Sequence, residues 1–449
     1  MKIAVIGGVA AGTSAAARAK RKLPDAEITI FEQDTDISYS GCGLPYYISN
    51  LIEEREDVIV YTPQRFEEKK DVTVKSQHQV QEIKTQEKKI VVKDLTADKS
   101  EEVDYDKLLI TTGASPIDPP IDGSELEHIF TLRNVNSADR IKKHIETDDP
   151  QEAVIIGGGY IGLEMAENLL ERDLNVTVVE QAPQILTNFD AEMAQIVEEH
   201  LSDKAIKVIT DDGVAKFKGK EEVEKVVTAS GKEIKTDLVI MSIGVKPNVE
   251  LAKEAGIEIG ETGAIKVNSK LETSISDIYA AGDCVETEHI ITGEKVWIPL
   301  GSTANKQGRV AGSNLAGSED EFEGVLGTAI SKVCDLAIAR TGLTEEEAEE
   351  AGYQVVSSQI KTKNHAGYFP NAELITIKLV VDEETGLILG AQVIGKDGID
   401  KKIDVLATAI YNEMKADELI NLDLAYAPPF SIPKDGVMVA GIVADKKRK

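Results

Sequence analysis

Cysteine is scarce: three residues in 449, Cys42, Cys284 and Cys334, none near another. That excludes a disulfide framework and a cysteine zinc centre, and it fits a reducing, cytoplasmic setting. Positive charge is also in short supply. Lys and Arg number 50 against 79 Asp and Glu, a formal net charge of −29. So acidic a chain offers no basic face for nucleic acid. Its charge reads as a solvated, solubilising surface. Long apolar runs are missing as well. No window of about 18 residues is apolar throughout, so no segment is built to span a membrane. The apolar start Ile3–Ala17 does not read as a secretory leader either, because it holds a glycine turn and runs into Arg18-Ala19-Lys20-Arg21-Lys22.

What is present is an ordinary globular composition, 42% hydrophobic and 29% charged, over a length that suits about three domains at roughly 150 residues each. Residues 2–6 read as a buried strand, 7–12 as a tight turn, and 11–23 as an Ala-rich helix ended by Pro24-Asp25. A second strand, 27–31, closes on Glu32 to complete a βαβ unit. Residues 153–180 repeat the plan and close on Glu180. Two copies mean two dinucleotides or one duplicated module. β-rich alternation follows each copy, at 72–110 and 205–240. From about 325 the pattern changes to strands near 326–340, 353–361, 374–381 and 387–395, then helices near 399–413 and 415–421, an α+β arrangement. The acidic Glu345–Glu350 reads as a solvated helix start, and Lys446–Lys449 as a frayed tail.

Gly157-Gly158-Gly159-Tyr160-Ile161-Gly162 matches Gly-x-Gly-x-x-Gly at a strand-to-helix turn. Such glycines permit the turn, let backbone N–H groups approach a pyrophosphate, and let helix pack on sheet. Glu180 lies at the end of the second strand, where a carboxylate accepts from a ribose 2′-OH and repels a 2′-phosphate. No Arg or Lys follows it in Gln181-Ala182-Pro183, so the pattern favours NAD(H) over NADP(H). The first copy, Gly7-Gly8-Val9-Ala10-Ala11-Gly12, has Val9 in place of the middle glycine. Two later fragments support it: Leu108 to Ala114, a strand entering a glycine turn, and Thr273 to Asp283, a strand that delivers Asp283 where a ribityl hydroxyl could be held.

In order and spacing these pieces resemble the FAD-dependent pyridine nucleotide-disulfide oxidoreductases, over nearly the whole chain. The resemblance implies an α/β fold with two Rossmann-like dinucleotide-binding domains and a C-terminal α+β dimerisation domain. The FAD-binding domain would be 1–115 with 246–322, the NAD(H)-binding domain 116–245, and the dimerisation domain 323–449. Toward FAD it implies Gly7, Gly8, Ala11, Gly12, Glu32, Gln33, Val80, Thr112, Gly113, Ala114, Gly282, Asp283, Thr303 and Ala304, the last two opening a helix whose positive end faces the flavin. Toward NAD(H) it implies Gly157, Gly159, Ile161, Gly162, Glu180 and Gly244, with Tyr160 covering the flavin and Glu164 near the nicotinamide.

Within that family, Ser38-Tyr39-Ser40-Gly41-Cys42-Gly43-Leu44-Pro45-Tyr46 resembles the coenzyme A-disulfide and persulfide reductases. Two-cysteine members carry a partner sulfur five residues on, where Tyr47 stands here. One sulfur beside a flavin can cycle through a mixed disulfide, a persulfide or a sulfenic acid. Cys284 and Cys334 read as small buried hydrophobes. Ser14, Arg18 and Arg21 share one helix face and suit phosphates; with Ser38, Lys70 and Lys434 they match residues that hold coenzyme A, whereas Gly41 departs from the usual Asn. The resemblance also implies a homodimer in which Tyr368 and Tyr426 serve the partner's Cys42 as proton donors, and it leaves His365 structural. A lowered thiol pKa is expected at Cys42. Two rivals remain: an NADH oxidase or peroxidase working through a Cys42 sulfenic acid, disfavoured because Ala10 stands where similar enzymes have a His, and a redox-sensing flavoprotein.

Overall fold

The computed structural model describes residues 1–449. Its first sheet centres on Lys2–Ile6, whose Ile3 to Ile6 are buried. The strand order is Ile278–Ala280, Lys107–Ile110, Lys2–Ile6, Glu27–Glu32, Thr73–Ser76, all parallel. A parallel sheet covered on both faces needs apolar runs rather than alternation, which is why Lys-Ile-Ala-Val-Ile reads as it does. A second parallel sheet runs Lys207–Ile209, Asn175–Val179, Glu152–Ile156, Leu238–Met241, Ile129–Thr131.

The duplication extends beyond the glycine turns. Each parallel sheet carries a three-stranded antiparallel excursion: His78–Lys84, Lys89–Asp94 and Lys99–Asp104 before Lys107–Ile110 in the first, and Val214–Gly219, Val223–Thr228 and Glu233–Lys235 before Leu238–Met241 in the second. The edges differ. Ile129–Thr131 precedes the second sheet in sequence, whereas Ile278–Ala280 returns to the first only after the second is built. That return brings Gly282 and Asp283 to the mouth of the first glycine turn. The helix Gly301–Leu315 follows and packs on Ala10–Lys22. At Gly308 and Gly312 an added Cβ would lie 2.3 and 2.4 Å from the Ala11 and Ala15 carbonyl oxygens, so the helices meet backbone to backbone.

The C-terminal sheet is antiparallel, ordered Ala329–Val333, Leu336–Gly342, Ile388–Gly395, Leu374–Asp382, Val355–Lys363. The stretch expected as one strand near 326–340 is a hairpin that turns at Cys334, whose φ is 57°. Ala416–Asn421 is a 3₁₀ helix. The frayed tail is a correction: Gly436–Arg448 is a helix capped by Asp435, with Val437, Ala440, Gly441 and Ala444 buried. Lys447 donates to the Ser357 carbonyl and Arg448 to those of Glu383 and Glu384. The two glycines, poor helix formers, mask its apolar spacing. Glu345–Glu350 is a helix with a Thr344–Glu347 capping box, but its acids are not all solvated. Glu345 and Asp190 pair with the buried Lys378, which ties this sheet to the start of the helix Ala191–Asp203.

Candidate active site

The two glycine turns are near copies. Gly7 and Gly157 have φ of +98° and +107°, and a Cβ there would lie 2.2 Å from the Thr111 oxygen and 2.4 Å from the Ser242 oxygen. At Gly12 and Gly162 a Cβ would lie 2.0 Å from the carbonyl oxygens of Gly7 and Gly157. Thr111 donates to the carbonyls of Ile6 and Gly7, and Ser242 to those of Ile156 and Gly157. At the middle position the chain itself makes no such demand. A Cβ at Gly159 would meet no atom within 4 Å, and the first turn accepts Val9 without losing its shape.

The strand-end carboxylates are paired with equal regularity. Glu32 accepts from the Gly8 and Asp34 N–H groups at 2.7 and 3.0 Å. Glu180 accepts from those of Gly158 and Ala182 at 2.7 and 2.8 Å. Burial pushes the Glu32 carboxyl up against these bonds. Each carboxylate keeps two lone-pair sites for a ribose diol.

The other residues expected at FAD gather at the first turn. Gly282 has φ +86° and donates to the buried Gln307 at 2.8 Å. Asp283 is largely buried, and its Oδ1 has no hydrogen-bond partner. Burial pushes its carboxyl up, with Arg133 partly opposing. A buried orphan acceptor calls for a hydroxyl donor, which a ribityl chain supplies. Ala11 and Ala304 are buried, and Thr303 lies in the first turn of Gly301–Leu315. Gly113 has φ +68° beside Arg133, Ala114 is buried, and Val80 packs on the first core. Two expected contacts stand apart: Gln33 is exposed, and the Thr112 hydroxyl already donates to the Asn248 carbonyl. On the second unit, Gly244 has φ +114° and Ile161 is exposed. Tyr160 packs edge-on to Phe189, and burial pushes its phenol to about 12.

Cys42 occupies a 3₁₀ turn, Gly41–Gly43, before the short helix Leu44–Ile48. It is exposed and lines a pocket of ≈ 340 Å³ with Tyr46, Glu164, Ser331, Lys332 and Asp335. Its thiol is pushed up from the ordinary value by burial of the sulfur, then by the carboxylates of Glu164 and Asp283. The lowered pKa expected from the sequence is therefore corrected: burial first, then two acids, raise the thiol. Glu164 is itself pushed up by burial and accepts from the Ser331 hydroxyl at 2.8 Å. Lys332 and the Cys334 N–H hold Glu167 one turn along at 2.7 Å. Sequence reading missed Ser331 and Lys332, whose partners lie more than 160 residues away and leave no local signal.

Tyr47, in the place of a second sulfur, is buried and donates to Asp139 at 3.0 Å. Cys284 is fully buried in the first core, as expected, and burial pushes its thiol to about 11. Cys334 is half-buried at a hairpin turn and packs against the second core from its edge. At Gly41 a Cβ would meet nothing within 4 Å, so the fold would admit the side chain that related loops carry.

The expected coenzyme A residues are only partly free. Ser14 accepts from Asn305 at 2.8 Å, and Arg18 Nε donates to Ser313 at 2.9 Å. Arg21 and Lys434 are exposed, Ser38 is half-buried with φ 48°, and Lys70 sits 5.2 Å above the Tyr61 ring. Tyr368 and Tyr426 are 78% and 47% exposed, and the Tyr426 phenol is pushed up by its hydrogen bond with Tyr368. The structure brings these two together but does not place them in the Cys42 pocket of the same chain. His365 bonds the Pro370 carbonyl and packs edge-on to Phe369, in keeping with a structural role.

Paired glycine turns, a buried carboxylate oxygen without a partner and one exposed thiol fit a flavin- and pyridine nucleotide-dependent oxidoreductase. The comparisons give the family. The model for "Pyridine nucleotide-disulphide oxidoreductase" matches residues 1–308, and that for its dimerisation domain matches residues 328–435. The NAD(P)H coenzyme A polysulfide/persulfide reductase of Pyrococcus horikoshii is 42% identical, over 98% of this chain and 97% of that protein. The NADH oxidase of Methanocaldococcus jannaschii is 39% identical, over 100% and 99%. The crystal structure of reduced Bacillus anthracis CoADR-RHD superposes with a TM-score of 0.97 at 41% identity, over 100% of this chain and 80% of that one. The chain belongs to the pyridine nucleotide-disulphide oxidoreductases, a family that depends on FAD and NAD(P)H. No helix is long and apolar enough to cross a membrane.

Proposed function

We propose that this enzyme reduces coenzyme A disulfide, drawing on NADH in preference to NADPH, with Cys42 as its one redox-active sulfur. The observation that carries the reading is the placement of a free, exposed Cys42 in a pocket with Glu164 of the second nucleotide unit and Ser331 and Lys332 of the C-terminal sheet. Bound FAD would supply two-electron transfer between the nicotinamide and that sulfur. Residues 1–115 with 246–322 are assigned to FAD, 116–245 to NAD(H) and 323–449 to pairing of two chains; the separate parallel and antiparallel sheets support this division.

The chain's own residues do the rest. The Gly7 and Gly157 turns seat the two pyrophosphates, and Glu32 and Glu180 orient the riboses. Cys42 as thiolate attacks one sulfur of the substrate; the Cys42–S–S–CoA bond forms, the substrate S–S bond breaks, and one CoA thiolate leaves. An electron pair then cleaves the mixed disulfide, returning the Cys42 thiolate and a second CoA thiolate. Each departing thiolate needs a proton, and Tyr368 and Tyr426 of the partner subunit are assigned to supply it. Their exposure beside Phe430, itself 73% exposed, supports burial of this face against a second copy. Arg21, Lys70 and Lys434, with Ser14, Arg18 and Ser38, are assigned to the coenzyme A phosphates and ribose.

Stopped-flow absorbance tests this. After reduction by NADH, rapid flavin reoxidation by coenzyme A disulfide is expected, with its loss in Cys42→Ser while the NADH step survives. Reoxidation by oxygen or peroxide alone would move the assignment to an NADH oxidase or peroxidase, and none by any acceptor to a redox sensor.

A further inference from the structure

A cluster of two histidines and a carboxylate lies on the second nucleotide unit, outside both glycine turns and the Cys42 pocket. We propose that His128, His144 and Asp148 form a binding site for one divalent transition metal of the Zn²⁺, Co²⁺ or Ni²⁺ type.

His144 and Asp148 stand four residues apart in the last turns of the helix Val135–Asp148, and His128 immediately precedes the strand Ile129–Thr131. His144 is 6% exposed. Its Nε2 lies 3.2 Å from the Asp237 carbonyl oxygen, which can only accept, so that nitrogen carries a hydrogen. Its Nδ1 lies 2.8 Å from Asp148 Oδ2. His128 Nε2 approaches the same oxygen at 3.9 Å, and its Nδ1 lies 3.9 Å from Glu222 Oε2. One nitrogen of each ring thus faces the shared carboxylate, and the other faces an oxygen that can orient it. This is the outer-shell pattern that fixes the tautomer of metal-bound histidines.

The rings stack with centroids 3.8 Å apart and planes 25° apart. A dication can engage all three residues together, since one ligand atom of each lies within 4.8 Å of the other two. Tetrahedral ligation at about 2.0–2.1 Å needs donors about 3.4 Å apart. The separations of the two ring nitrogens from Asp148 Oδ2, 2.8 and 3.9 Å, bracket that value, so shifts of about half an ångström bring each into register with that carboxylate. Imidazole nitrogens select zinc-like ions over Mg²⁺ or Ca²⁺. Asp148 is half-exposed, which gives the ion an entry path and room for a water.

The site would staple the end of this helix to the start of the strand. The same helix carries Asp139, which accepts from Tyr47 and Arg55 behind the Cys42 turn. The metal's role is therefore to stiffen the support of the redox loop, not to join the chemistry.

The test uses untagged, FAD-loaded protein stripped with a chelator and titrated with Co²⁺, then Zn²⁺. One Co²⁺ per chain is expected, with visible d–d bands that Zn²⁺ abolishes and a higher melting temperature with either metal. His128→Gln and His144→Gln should each weaken binding about tenfold or more, with NADH reduction of the flavin unchanged in His128→Gln. Absence of Co²⁺ bands and of retained Zn²⁺ in the unaltered protein would overturn the proposal in favour of a His144–Asp148 ion pair, as would equal affinity in the half-buried His128→Gln variant.

Discussion

Replacing Glu180 by Arg should reverse the nucleotide preference. Glu180 uses two of its four lone-pair sites on the Gly158 and Ala182 N–H groups, leaving two for the adenosine ribose. A hydrogen bond to a charged group contributes about 1.5–3 kcal/mol. Losing it should raise the NADH KM about 10- to 150-fold. Losing the two backbone bonds loosens the turn, but that cost falls on both nucleotides and cancels in their ratio. A guanidinium in place of the carboxylate also turns repulsion of a 2′-phosphate into attraction. The ratio of kcat/KM for NADPH over NADH should therefore rise by about two orders of magnitude or more. Steady-state kinetics with both nucleotides measures it. Flavin content is the control, because Glu32 of the other unit is untouched. An unchanged ratio would refute the ribose assignment and the reading of the second turn as the NAD(H) site.

Two further outcomes follow. Glu164→Gln removes a like charge that holds the Cys42 thiol up, so the pH profile of Cys42 alkylation in the oxidised enzyme should move to lower pH; an unmoved profile would show that the carboxylate is not felt at the sulfur. Lys402→Met strands the buried Asp435, which accepts from Lys402 at 2.9 Å, Ser431 at 2.6 Å and the Val437 N–H at 3.0 Å, and should destabilise the protein by about 3–5 kcal/mol at pH 7. Burial raises the Asp435 carboxyl, but Ser431 and Lys402 together leave it below the usual range. Its stabilisation is present above the unfolded pKa of about 3.9 and is lost as pH falls through the lower folded value. The stability gap between variant and parent, followed by denaturant unfolding, should therefore narrow at acid pH; a constant gap would contradict the ion pair.

Much of the fold was legible because parallel sheets are written in runs. Ile3 to Ile6 and Ala153 to Ile156, each followed by a glycine turn, announce their strands locally. The return of Ile278–Ala280 to the first sheet was legible only through Asp283 and its glycine. The helix Gly436–Arg448 was not, because Gly436 and Gly441 weaken its propensity while burial against the C-terminal sheet stabilises it. At the site, the residues on local turns were readable: Gly7, Gly157, Glu32, Glu180 and Cys42. The Cys42 environment was not. The acids that raise its thiol lie 122 and 241 residues away in sequence, at Glu164 and Asp283, and Ser331 reaches Glu164 from another sheet. The helix that carries Ser14, Arg18 and Arg21 was legible from its alanines, whereas the bond from Arg18 to Ser313, 295 residues on, was not.

The central claim, a solitary Cys42 that exchanges with coenzyme A, is tested most directly by intact-mass analysis with peptide mapping. Enzyme reduced by one equivalent of NADH is mixed with coenzyme A disulfide and quenched in acid. A coenzyme A-sized adduct on Cys42, released by further NADH, is expected. No adduct, or one on Cys334 with Cys42 unmodified, would contradict the account.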